Sequence, residues 1–217
     1  MSAAALVSIA LLGALVGLVV PVVSRRFATA DARPLTFPLP QPVRRPWADP
    51  MVATIVFVGL AVAVGDDPAL PVFLAVAAVG LVLARVDLAC LRLPDPLVLV
   101  AGLLALGGLT TVALLSGTPG RLLGAMGGAA IGGAAHVLLA LLPGSRLGFG
   151  DVKLAAVLGL PLGWLGWEVL LTGLLLPHVL HGGLVLGLLA ARKVHRNTLL
   201  PLGPALLVGT WLAPLLT

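Results

Sequence analysis

Apolar residues come in long runs, and runs of this length constrain the chain more than any motif it contains. A helix needs about 20 apolar residues to cross a ~30 Å hydrocarbon core. Placed by hydropathy and turn signals, the runs fall at about 2–23, 51–65, 69–86, 96–115, 121–142, 152–165, 168–190 and 202–216. The sequence therefore predicts an all-α, polytopic membrane helix bundle of about eight transmembrane spans. Of 217 residues, 60% are hydrophobic and 10% charged, which leaves no length for a separate soluble domain. Residues 1–217 read as a single membrane-embedded domain.

The placement of charge orients the bundle. Cytoplasmic loops of membrane proteins are enriched in Lys and Arg. With the N-terminus outside, only Arg121 of the 13 basic residues falls on the outer side. The opening run reads as an uncleaved anchor, because it lacks a basic start and carries Arg25 and Arg26 after the apolar stretch. Residues 24–50 then form a short, basic, proline-rich cytoplasmic connector. The formal charge of +5 speaks for orientation and anionic lipid, and nothing in the pattern supports a nucleic-acid surface. The single cysteine, Cys90, excludes an internal disulfide, and no Cys/His spacing suits zinc. His178 and His181 share a helix face without a third ligand, which favours hydrogen bonding between helices.

In this topology Asp87 and Asp151 lie on the same membrane face, although 64 residues separate them. Asp151 stands in Gly148-Phe149-Gly150-Asp151-Val152-Lys153-Leu154, where two apolar runs meet. Position alone divides evenly between a helix cap and a catalytic acid held at the membrane surface. Asp87 is open to a similar choice, as the boundary partner of Arg85 or Arg92 or as a second acid. Two carboxyl groups sharing one proton can hydrolyse a peptide bond: one activates water while the other polarises the carbonyl. One of them must then stay protonated at neutral pH, although a free aspartate titrates near about 3.9. Gly148 and Gly150 leave room for a sharp turn and for close approach of a substrate backbone. Asp95 reads as the N-cap of the fourth span with Pro96 as its first residue, and Lys153 as a side chain snorkelling to phosphate.

These stretches together resemble the prepilin peptidases, the type IV leader peptidase family of GxGD membrane aspartyl proteases. Asp87-Leu88 with Leu93-Pro94-Asp95 and Leu97 is similar to the family's first motif. Gly148 to Leu154 is similar to its glycine-any-glycine-aspartate signature, and Leu200-Pro201-Leu202-Gly203-Pro204 to its C-terminal Pro-Phe-Gly-Pro element. The resemblance implies that Asp87 and Asp151 are the catalytic pair, with Gly148, Gly150, Lys153, Pro94, Asp95, Gly203 and Pro204 supporting the motifs. It implies a multi-pass protein of the inner (cytoplasmic) membrane that cuts the leader from pilin or pseudopilin precursors at the cytoplasmic face, with no cofactor and no metal. Many bacterial members carry a larger cytoplasmic domain after the first span, often with two Cys-x-x-Cys pairs, and also methylate the new N-terminus. Here residues 24–50 contain no cysteine, so zinc is unsupported and methyl transfer is not assigned. The rival readings are a related GxGD protease acting on other membrane precursors and, from a different class, a non-catalytic membrane scaffold or transporter. Against the last, the spans carry few polar groups to line a solute path.

Overall fold

The computed structural model describes residues 1–28, 47–145, 147–195 and 198–217. Most of the connector read at 24–50 lies outside the described residues. Those described form eight helices, each beginning or ending within a few residues of the apolar runs: α1 (Ala3–Phe27), α2 (Ala48–Val64), α3 (Leu70–Cys90), α4 (Asp95–Ser116), α5 (Pro119–Leu141), α6 (Phe149–Leu165), α7 (Trp167–Ala190) and α8 (Gly203–Leu216). Among the described residues, α1, α3, α4, α5 and α7 are long and apolar enough to cross a membrane. The 17 residues of α2 and of α6 and the 14 of α8 are shorter. At 1.5 Å per residue, α8 rises only ~21 Å. The protein is a multi-pass membrane helix bundle.

Two backbone-close seams organise it. Apolar side chains gain little by leaving lipid for protein, so helices in a bilayer associate through close packing, and small residues permit it. On α1, a Cβ at Gly13 would come within 2.9 Å of the Ala53 carbonyl oxygen, and one at Gly17 within 2.4 Å of Pro50 Cα. On α5, a Cβ at Gly128 would come within 2.2 Å of the Gly159 carbonyl oxygen of α6; one at Gly163 of α6 would lie equally near the Gly124 oxygen. Gly124 and Gly128 of α5 are thus the seat of α6. Helix α8 packs against both α2 and α6, while α4 packs against α3, α5 and α6, and Trp211 of α8 donates to the Val56 carbonyl of α2 at 3.1 Å.

Ion pairs mark the two ends of the bundle. At one end Arg121 of α5 pairs with Asp67 of the α2–α3 turn and lies 4.5 Å over the Trp164 ring of α6. That contact gives the basic residue set apart by the orientation rule a local partner. Asp67 also accepts from the Ala69 amide at 2.8 Å. At the other end Arg85 of α3 pairs with Asp49 of α2. Two histidines hydrogen-bond within their own helices, His136 Nδ1 to Gly132 O and His178 Nδ1 to Leu174 O, each 2.9 Å, and their rings meet between α5 and α7 with centroids 5.2 Å apart. A ring nitrogen that meets the carbonyl four residues back is satisfied without a partner helix.

Candidate active site

Helix α3 ends one turn after Asp87. The Leu91 amide donates to the Asp87 carbonyl at 2.8 Å, and Leu91 takes the left-handed conformation (φ 51°, ψ 40°). That geometry closes helix C-termini and usually falls to glycine. Placed on a branched residue, it costs roughly 1–2 kcal/mol. The chain then runs through Arg92, Leu93 and Pro94 into α4. Asp87 lies on the inner side of this turn and is only 5% exposed.

Asp87 does not pair with Arg85, which is engaged by Asp49. Its Oδ2 instead accepts from the backbone amide of Gly203 at 3.0 Å, the first residue of α8. The free amides of a helix N-terminus suit a carboxylate. Glycine is required here: a Cβ at 203 would come within 2.7 Å of Asp87 Oδ2 and 3.3 Å of its Cγ. The sequence marks Gly203 only as part of a motif, since a backbone donor leaves no signature in residue type.

Asp151 is in the first turn of α6. The N-cap of that helix is Gly148, not Asp151. Asp151 stands three residues on, with its carboxylate close to the backbone of Gly148. The two glycines differ. Gly150 packs against the α3–α4 link, where a Cβ would come within 3.0 Å of Leu93 Cβ. Gly148 has an ordinary extended backbone (φ −75°, ψ 145°), and a Cβ there would make an ordinary contact, 3.4 Å from Asp151 Oδ2. The sharp turn expected at Gly148 is absent.

Asp95 is the first residue of α4, and Pro94 is its N-cap without a side-chain cap bond. The expected cap fails because the Asp95 carboxylate is turned to another partner: Lys153 Nζ lies 2.8 Å from its Oδ1. Lys153, expected to reach for phosphate, thus ties the start of α6 to the start of α4. Pro204 follows Gly203 in the first turn of α8.

Asp87 and Asp151 line one cavity of about 280 Å³ together with Arg92, Asp95, Phe149 and Lys153, and Asp87 lies within electrostatic reach of Asp151. The expected juxtaposition of these aspartates is present. The arrangement offers two carboxyl groups, one of them fixed by a backbone donor, facing one cavity.

A model of the type IV leader peptidase family matches residues 74–192, more than half of the chain and inclusive of both aspartates. Among curated relatives, the chain is 34% identical over 137 residues to a prepilin leader peptidase/N-methyltransferase of Aeromonas hydrophila, covering 60% of this chain and 44% of the relative. Proteins of the same name are 36% identical over 137 residues in Stutzerimonas stutzeri (61% and 45%) and 42% identical over 69 residues in Pseudomonas putida (32% and 23%). The matched stretches span less than half the length of these relatives. No solved structure matches the chain.

Proposed function

The chain belongs to the type IV leader peptidase family, and we propose on that premise that it is an aspartyl endopeptidase of the inner membrane cutting the leader from pilin or pseudopilin precursors. The observation that carries the reading is the shared cavity of Asp87 and Asp151, with Asp87 held by the Gly203 amide. In this mechanism the two carboxyl groups hold one proton between them. The ionised one takes a proton from water as its oxygen attacks the scissile carbonyl, and the protonated one donates to the carbonyl oxygen. The tetrahedral intermediate collapses as a carboxyl proton passes to the leaving amine. No covalent enzyme intermediate forms. The Gly203 amide occupies Asp87 Oδ2, leaving Oδ1 for water or substrate.

The whole chain acts as one domain in this proposal, with its N-terminus outside and its cavity at the cytoplasmic face. The distribution of basic residues supports that orientation. The test is to incubate membranes containing the full chain with a pilin precursor and identify the product by mass spectrometry. Loss of the leader with a single new N-terminus is expected. An intact precursor, with the protein folded and the precursor inserted, would contradict the proposal.

Gly203 offers a sharper check. Gly203→Ala drives a methyl group into Asp87, and kcat is expected to fall by roughly 10- to 100-fold, the order of loss that misplacement by about 1 Å causes. Gly148→Ala adds only an ordinary contact and leaves the folded protein unchanged in thermal stability. Wild-type kcat in Gly203→Ala would remove the positioning role of the amide.

A further inference from the structure

The helices that bear the two aspartates scarcely touch: α4 and α8 each pack against both, while α3 and α6 have almost no packing with each other. Between α3 and α6, walled also by α2 and α8, lies a second cavity of about 270 Å³. It is lined by apolar side chains, with a hydroxyl from Thr210 and the Trp211 indole, whose N–H is held by Val56. On α3 it extends from Phe73 to Leu88, ~22 Å of helix rise. Its inner wall is buried, at Leu158 and Leu162, while Val52, Leu88 and Val208 are 42–46% exposed at its mouth. The groove reaches Leu88 and Pro204, the chain neighbours of Asp87 and Gly203.

We propose that this groove seats the apolar helix of the peptide substrate, the segment adjoining the bond presented to Asp87 and Asp151. The proposal rests on the peptidase reading. Continuity is its first support, because a chain threaded past Asp87 runs directly into the groove at Leu88. The second is the fit. Burial from lipid gives a substrate helix little hydrophobic gain, so recognition must come from close packing, and Ala77 and Ala84 keep the α3 wall low enough for a ridge of side chains to enter. A volume of about 270 Å³ suits such a ridge from one helix face and not a whole helix.

The experiment fills the groove with Ala77→Trp or Ala84→Trp, neither of which lines the aspartate cavity. Each variant is given a membrane-inserted pilin precursor and, separately, a soluble peptide containing only the residues around the scissile bond. On the precursor, kcat/KM is expected to fall by about tenfold or more, a loss of about 1.4 kcal/mol in transition-state binding. The soluble peptide should be cut as by the wild type. Unchanged cleavage of the precursor, or an equal fall on both substrates, would overturn the proposal. Because either tryptophan could unseat a helix, a photo-cross-linker at Leu81 in the Asp151→Asn protein supplies a second readout. A cross-link to the precursor's apolar segment supports the groove, and a cross-link confined to lipid overturns it. A wild type that cuts neither substrate, while the Asp151→Asn protein cross-links the precursor, would end the peptidase reading and leave the groove standing. Cleavage without that cross-link would do the reverse.

Discussion

Gly128→Ala is expected to destabilise the protein by at least about 1–3 kcal/mol, the usual cost of forcing a methyl group into a filled core, whereas Gly127→Ala, one residue away, is tolerated. A Cβ at 128 would come within 2.2 Å of the Gly159 carbonyl oxygen, 2.9 Å of Gly163 Cα and 3.1 Å of Gly163 N, all backbone atoms. Backbone does not rotate out of the way, so α5 and α6 must separate. At 127 nothing lies within 4 Å. An added methyl there meets no clash and gains up to roughly 0.5–1 kcal/mol of helix propensity. Thermal unfolding in detergent, followed by circular dichroism, checks the pair. Equal midpoints would contradict the backbone-close seam. The seam also bears on function, because α6 carries Asp151 in its first turn, and its seat on α5 sets where that carboxyl group stands.

Much of this was legible in the sequence for a definite reason. Hydropathy reports burial in lipid directly, so eight apolar runs became eight helices. Turn residues bound them well, and topology and motif together pair Asp87 with Asp151. What escaped depends on relations that residue type does not encode. The partner of Asp87 is a backbone amide 116 positions away. Asp95 had the right neighbours for a cap, yet a lysine 58 residues on competes for its carboxylate. Gly148 looked conformationally necessary, but its φ and ψ suit any residue. The glycines of α5 stand in the sequence, but their partners, Gly159 and Gly163 of α6, are set only by the fold.

The largest functional effect is expected from removing either proton carrier. Asp87→Asn and Asp151→Asn keep the shape of the side chain, and at 87 an oxygen that can accept from Gly203, so the fold survives. For Asp87, which is 5% exposed, the amide also places no charge in a buried site. An amide neither takes a proton from water nor donates one as an acid. Loss of general acid–base action of this kind costs roughly 10²- to 10⁴-fold. Because the two groups work as a unit on one proton, the losses should not multiply: the double variant is expected to be no slower than either single one.

The measurement that bears most directly on this account is precursor cleavage in membranes holding equal amounts of wild type, Asp87→Asn, Asp151→Asn and the double variant, each verified as folded. The account predicts leader removal by the wild type alone, with the three variants alike at background. Wild-type turnover by either single variant would contradict it.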